Sequence, residues 1–438
     1  MKIAVAGTGY VGLVTAVCLA EIGHKVICVD IDENKIDLMK SGKPPFYEKD
    51  LENLMNKNRE RITYTTDYKV AYQNSDVIFI GVGTPENLDG SANLDYVYEV
   101  CDKIKKSARN DKVVVVKSTV PIGTNDEIEK RLNKDSNFRF YIVSNPEFLS
   151  QGTAVHDTLF PSRIVVGVED DYSQKIMKRL YEPLTKKPYN TTYLSMDRRS
   201  AEMVKYASNN FLALKISYIN EIANFCEQIN ANIADVTLGM SYDSRIGNQF
   251  LNAGIGYGGS CFPKDTKALH WLSKVYNCEI KTIAATIEVN KKQKLRLFEK
   301  FKEDNKNQIK DKTVAVLGLS FKPGTSDLRE APSIDNVRML LDYGCYVHVY
   351  DPIALVEFKR MFKEENLKCF HNISEAIKNS DAVFIMTELK EIVNYDISNY
   401  KKLMKQANIY DGRNCYSMEK IQSIKEINYY SIGRVEKK

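Results

Sequence analysis

The hydrophobic positions of this chain fall in short runs broken by glycine and polar turns, with one long helical stretch in the middle. Lys2–Ala6 has the length and apolarity of a buried parallel strand. It meets Gly7-Thr8-Gly9-Tyr10-Val11-Gly12, then a helical pattern (Val14, Val17, Cys18, Leu19) that ends near Gly23. A second strand, Lys25–Val29, closes on Asp30. Further strands are predicted over 77–82, ending on Gly83-Thr84-Pro85, over 113–117, ending on Ser118-Thr119, and over 140–143, ending on Asn145-Pro146-Glu147. Ligands of an open parallel sheet bind beyond the carboxyl ends of its strands, which draws attention to Thr84, Thr119 and Glu147. All three would also serve as plain turn formers and helix caps, Thr84 more readily than Glu147.

Strand, glycine turn, helix, strand and acid stand in the order of a dinucleotide fingerprint. Gly7 allows the tight turn, Gly9 lets a pyrophosphate approach the backbone, and Gly12 lets helix pack on strand. The helix N-terminus offers unpaired N–H groups to phosphate. Asp30 would accept from the ribose hydroxyls and repel a 2′-phosphate, so the expected cofactor is NAD rather than NADP.

The last third repeats the plan. Thr313–Leu317 runs into Gly318 as the first strand runs into Gly7, residues 344–351 (GCYVHVYD) echo 23–30 (GHKVICVD), and 379–385 (NSDAVFI) echo 74–80 (NSDVIFI). The second turn reads Gly318-Leu319-Ser320-Phe321-Lys322-Pro323, so two glycines are missing and a pyrophosphate could not settle there in the same way. Lys322 and Arg329 offer side-chain charge instead, which suits a different phosphate-bearing ligand. The expected fold is α/β: two Rossmann-like, doubly wound parallel sheets joined by a central helical domain with a long connecting helix. Domain boundaries are expected at 1–198, 199–310 and 311–438.

In the middle, residues 199–229 carry helical periodicity (Met203, Ala207, Phe211, Leu214, Tyr218, Ile222, Phe225) with no Pro or Gly. Such a helix can link domains and form a dimer seam. Lys205 and Asn209, four apart, share one face; position alone would make them surface residues. Downstream, Gly254, Gly256, Gly258 and Gly259 precede Ser260-Cys261-Phe262-Pro263-Lys264-Asp265. The glycines are expected to expose backbone to a ligand. Pro263 suits a first helical turn, which puts Cys261 at a helix N-terminus beside Lys264, a setting that favours thiolate. A single cysteine is more often a small buried hydrophobe; the loop singles this one out as a nucleophile.

Composition narrows the class. A net charge of +5, with acids and bases interspersed, leaves no nucleic-acid footprint. Nine cysteines without a Cys-x-x-Cys pair argue against a disulfide framework and against zinc, and fit a reducing cytoplasm. Residues 3–20 are uncharged, but their glycines and shortness argue against a membrane span or a signal peptide.

Taken together, Gly7–Gly12, Ser118-Thr119-Val120-Pro121, Asn145-Pro146-Glu147-Phe148-Leu149, Lys205 with Asn209, and GYGGSCFPKD at 256–265 resemble the UDP-glucose/GDP-mannose dehydrogenase family over essentially the whole chain. That resemblance implies oxidation of a primary alcohol of UDP-glucose to a carboxylate, two NAD being reduced. Cys261 would carry a thiohemiacetal and then a thioester. Lys205, Asn209 and Asp265 would steady charge on oxygen, Thr119 would help hold a water, and Glu147 would be the base for hydrolysis. Gly7, Gly9, Tyr10, Val11, Gly12, Asp30, Lys35, Thr84, Thr119, Gln151, Lys264 and Arg329 would contact NAD. The sugar nucleotide would meet Glu147, Phe148, Leu149, Lys205, Asn209, Phe250, Leu251, Asn252, Gly254, Tyr257, Gly258, Phe321, Lys322 and Arg413. Arg245 would reach the substrate of the neighbouring subunit in a homodimer. One position departs: the family usually has a second glutamate where this chain has Gln151, and an amide cannot take a proton as a base. GDP-mannose and other sugar nucleotides stay open as substrates, and so does a one-hydride hydroxyacid dehydrogenase, which shares the first domain but needs no cysteine.

Overall fold

Fourteen strands form two sheets in this computed structural model, which describes residues 1–437. The first sheet contains β1 (Lys2–Ala6), β2 (Lys25–Val29), β3 (Ile62–Thr65), β4 (Val77–Ile80), β5 (Lys112–Val116), β6 (Phe140–Ser144), β7 (Arg163–Gly167) and β8 (Thr192–Met196). Its order is β3-β2-β1-β4-β5-β6-β7-β8. The first six strands are mutually parallel, and β7 joins β6 antiparallel through Ser144 and Gly167. β1, β4 and β5 are apolar almost without interruption because helices cover both faces. β3, β7 and β8 were not anticipated from the pattern: β8 alternates weakly and is half exposed, as an edge strand can be.

The second sheet contains β9 (Thr313–Leu317), β10 (Tyr346–Tyr350), β11 (Leu367–Phe370), β12 (Ala382–Ile385), β13 (Asn408–Asp411) and β14 (Asn428–Ser431), in the order β11-β10-β9-β12-β13-β14 and parallel throughout. The internal repeat extends to single hydrogen bonds. Gly7 N donates to Val29 O and Gly318 N to Tyr350 O, both at 2.8 Å. Thr8 N donates to Asp30 Oδ2 and Leu319 N to Asp351 Oδ2, again both at 2.8 Å.

The chain divides into two compact units, Met1–Ser208 and Asn209–Lys438. In the second unit, buried residues of the central helices (Ile219, Ala223, Leu297, Phe298, Phe301) share one core with those of the second sheet (Val314, Val316, Val347, Phe384). The helix Arg198–Gln228 contributes to both units, and its apolar positions divide between two faces. Phe211, Tyr218 and Phe225 are exposed, while the buried face carries Asn209, Asn210, Ser217 and Asn220 among small apolar residues. No helix among the described residues is long and apolar enough to cross a membrane.

Candidate active site

The glycine turn is built to leave space. Gly7 adopts φ +87°, a left-handed conformation that a side chain resists. Gly12 is pressed against Gly7 O, where a Cβ would collide, so the helix Tyr10–Glu21 lies directly on the turn. A Cβ on Gly9 would meet nothing within 4 Å: the exposed side of the turn, at the helix N-terminus, is open. These residues fit a pyrophosphate. In the second turn the same place is taken by Ser320, whose N and Oγ both face Asp351.

Asp30 is already part of the turn: Thr8 donates to its Oδ2 from both N (2.8 Å) and Oγ1 (2.6 Å), and Asp32 N to Oδ1 (3.1 Å). Burial alone would raise its pKa, but these bonds to the anion lower it on balance. Asp351 makes the equivalent brace, so the acid belongs to the fold as well as to any ribose contact. Tyr10 packs at a tilt against Phe46 and donates to Glu48, a buried carboxylate that also accepts from Gly152 N (2.7 Å) and Ala154 N (2.9 Å). The segment holding Gln151 is thereby pinned to the start of the dinucleotide helix. Lys35 and Val11 line the same region by sequence; the Lys35 amine is 4.0 Å from Asp32. Thr84 spends its hydroxyl on Thr119 O (2.9 Å), and Thr119 is half-buried after β5.

Beyond β6, Glu147 and Lys205 form a buried ion pair, Nζ to Oε1 2.8 Å, with the same amine also on Glu147 O (2.7 Å). Leu149 N donates to the other carboxylate oxygen (2.8 Å), and the Lys205 amine is 5.5 Å from the Phe148 ring centroid. Neither Lys205 nor Asn209 is a surface residue. Sequence reasoning missed a second lysine, Lys117, at the end of β5. Its amine donates to Asn145 Oδ1 at 3.3 Å, and Asn145 is fixed in turn by Tyr181 (2.6 Å) and by Val165 O (2.8 Å). Burial pushes the Lys117 pKa down to about 8; Glu147 opposes that shift and Lys205 adds to it. A lysine closing a run of four valines was the available signal.

In the second unit, Cys261 is the N-cap of the helix Phe262–Val275, with Pro263 in its first turn. The Ser260 hydroxyl is 3.7 Å from Sγ. Asp265, fully buried, accepts from Asn209 Nδ2 (2.6 Å) on one oxygen and from Lys264 Nζ (2.6 Å) on the other. The Lys264 charge is therefore committed to Asp265 rather than standing alone beside the thiol.

The glycines of the loop do not expose backbone as expected; they are buried by the protein itself. Gly256 lies against Asn290 (Cβ to Oδ1 would be 2.6 Å), Gly258 against Glu330 O, and Gly259 against the Phe321 ring (2.8 Å). Close backbone packing by itself excludes side chains at these positions. The polar face of the long helix accounts for the rest: Asn220 Oδ1 accepts from Gly254 N (2.8 Å), and Asn210 Nδ2 donates to Asp265 O (3.3 Å). Leu251 and Tyr257 are buried, Asn252 is exposed, and Phe250 takes φ +62°. Arg413 donates to Met386 O (2.9 Å), Phe321 O (3.2 Å) and Gly256 O (3.4 Å). The Lys322 amine is 5.6 Å from the Phe321 ring centroid. Arg329 makes a two-point pair with Asp327, and the exposed Arg245 pairs with Asp243.

The two halves of the repeat differ chemically in their turns: the first leaves the side of Gly9 open, and the second carries Ser320 there. The first unit is an NAD-binding domain and the chain is an NAD-dependent oxidoreductase acting on a nucleotide sugar. It belongs to the UDP-glucose/GDP-mannose dehydrogenase family, whose NAD binding domain matches residues 1–185, central domain 199–292 and UDP binding domain 315–418. It is 45% identical to UDP-glucose 6-dehydrogenase YwqF of Bacillus subtilis (strain 168), covering 99% of this chain and 98% of that one. Identity to the UDP-glucose 6-dehydrogenase of Rhizobium meliloti (strain 1021) is 42%, over 99% and 100%. A solved UDP-glucose dehydrogenase from Pyrobaculum islandicum superposes with TM-score 0.90 at 31% identity, covering 99% of this chain and 97% of that one.

Proposed function

We propose that this protein oxidises the primary alcohol of UDP-glucose to the carboxylate of UDP-glucuronate, with Cys261 as the covalent nucleophile. The observation that carries the reading is Cys261 at a helix start, followed within the same turn by an Asp265 carboxylate held from both sides. A one-hydride dehydrogenase has no use for that arrangement. Identity of 45% over the full chain to an enzyme named UDP-glucose 6-dehydrogenase supports the choice of sugar.

Gly7, Gly9, Gly12, Tyr10 and Asp30 would hold NAD, which when bound would supply the hydride acceptor, one NAD for each of the two oxidations. Between the two, the Cys261 thiol adds to the aldehyde carbon, forming a C–S bond and a hydroxyl. Loss of the second hydride and of the hydroxyl proton leaves a thioester on Cys261. Glu147 takes a proton from water as it attacks the thioester, and the C–S bond breaks to return the thiol and the carboxylate product. Lys205, Asn209 and Asp265 supply hydrogen bonds to oxygen as its charge changes. Thr119 would share in holding the water. Because Gln151 cannot act as a base, that duty rests on Glu147.

NADH formation with UDP-glucose, GDP-mannose and UDP-N-acetylmannosamine tests the assignment: UDP-glucose is expected to give by far the highest kcat/KM, and a preference for either rival would overturn it. Cofactor choice follows Asp30. Strong preference for NAD over NADP is expected, narrowing in Asp30→Ser. The same variant should also melt at lower temperature, because Thr8 loses its acceptor.

The reading includes a cytoplasmic homodimer. The support for a dimer is the stripe Phe211, Tyr218 and Phe225, a seven-residue repeat of exposed aromatics on the long helix. Sedimentation of the unaltered protein and of Phe211→Lys/Phe225→Lys should show a dimer and a monomer, respectively.

A further inference from the structure

Segment 329–331 follows the second Rossmann turn and is the part of the second unit that presses hardest on the cysteine loop. Glu330 has φ +53°, a left-handed conformation unusual for a residue with a long side chain. Its backbone carbonyl lies where a Gly258 Cβ would be, and Ala331 Cα would be 3.1 Å from the same Cβ. The preceding carbonyl, Arg329 O, accepts from Gly259 N at 2.8 Å. Glu330 thus touches the loop a few residues before Cys261. Its carboxylate acts on the other side of the cysteine. One oxygen is 3.3 Å from the amine of Lys267, on the helix that Cys261 caps, and the other is 2.6 Å from the buried amine of Lys294. Lys294 is itself 3.6 Å from Asp335, and its carbonyl accepts from Asn336 (2.7 Å).

We propose that Glu330 is a positioning residue for Cys261: its main chain seats the Gly258–Gly259 backbone while its carboxylate tethers the helix that begins at the cysteine. Two contacts on opposite sides of one residue restrict it more than either does alone. Burial works against the carboxylate, yet Lys294 and then Lys267 lower its pKa on balance, so the tether is charged at neutral pH. The role rests on the reading of Cys261 as the nucleophile, because displacing an inert thiol would not alter turnover.

The test uses the full-length protein with Glu330→Gln, which keeps the length, and Glu330→Gly, which keeps the left-handed backbone without strain. Lys267→Met removes the other end of the tether at a half-exposed site. Alkylation of Cys261 by iodoacetamide, followed on its own peptide by mass spectrometry, reports placement independently of catalysis. Both Glu330 variants should be alkylated several-fold faster, with kcat lower by about tenfold to a hundredfold, the cost of a misplacement of about 1 Å, and KM for UDP-glucose little changed. Lys267→Met should move both readouts the same way by less, and adding it to Glu330→Gln should cost nothing further. Unchanged alkylation and kcat in either Glu330 variant would overturn the proposal, as would a lower melting temperature with no change in alkylation. If Cys261 is not the nucleophile, alkylation still shifts while kcat does not, which separates the two failures.

Discussion

Replacing Cys261 by alanine is expected to abolish the second oxidation. The unaltered protein should form two NADH for each UDP-glucose consumed and release a uronate. Without the thiol, an aldehyde has nothing to capture it in a form that can lose a second hydride. Removing a nucleophile that works as a unit with its partners costs roughly 10⁴–10⁶ in kcat. Cys261→Ser keeps a hydroxyl but not a nucleophile of comparable strength, so it should bind both ligands and turn over very slowly, stalling at an ester or an aldehyde. The control is chemical as well as positional. Burial pushes the Cys18 thiol up to about 12 and raises Cys369 as well, and neither should matter when changed to alanine. A single NADH per sugar from the unaltered protein, or full activity in Cys261→Ala, would falsify the covalent four-electron reading in favour of a simple alcohol dehydrogenase.

Glu147→Gln should do two things at once, and they can be read separately. With Glu147 as the proposed hydrolytic base, turnover should drop by about 10²–10⁴. Acyl-enzyme should then accumulate on Cys261, visible as an added mass on the intact protein. Gln151→Glu should change little by comparison. The second effect is on stability. The substitution leaves the Lys205 ammonium buried with an amide instead of a carboxylate, close enough to Lys117 for the two charges to act on each other. Breaking a buried pair by neutralising one partner costs about 3–5 kcal/mol, so the melting temperature should fall clearly. Lys205→Met combined with Glu147→Gln should recover much of that stability without recovering activity. An unchanged rate with no adduct in Glu147→Gln would move the base elsewhere, with Asp265 the next carboxylate to test.

Much of the fold was legible because it is local. A strand of four or five apolar residues, a glycine turn and a helix are set by neighbours in sequence, and the echo of 23–30 in 344–351 announced the second sheet without any contact being known. The outer strands were not legible. β3 and β8 are short and partly exposed, β7 is a short buried run with no motif at its end, and all three pair with segments elsewhere in the chain. The antiparallel step at Ser144 and Gly167 leaves no mark on hydrophobic pattern.

The candidate site divides in the same way. Cys261, Asp265, Gly7 to Gly12 and Glu147 could be named from the sequence because each belongs to a short motif whose residue types, taken together, suit only a narrow range of chemistry. What each side chain does was decided by tertiary structure, since hydrogen-bond partners are chosen by distance in space. Lys264 was placed beside the thiol by adjacency but gives its charge to Asp265. The glycines before Cys261 are there because Asn290, Glu330 and Phe321 come up against the loop, and none of those three is its neighbour in sequence. The long helix shows the limit most clearly. Its periodicity determined that it would be a helix, but a period of 3.6 says only which residues share a face, not which face meets protein. Packing put the asparagines inward, where Asn209, Asn210 and Asn220 satisfy buried polar groups of the cysteine segment, and turned the aromatics outward. A buried face chosen for hydrogen bonding rather than apolarity is invisible to a hydrophobic pattern, because the loop that needs those hydrogen bonds is supplied by another part of the chain.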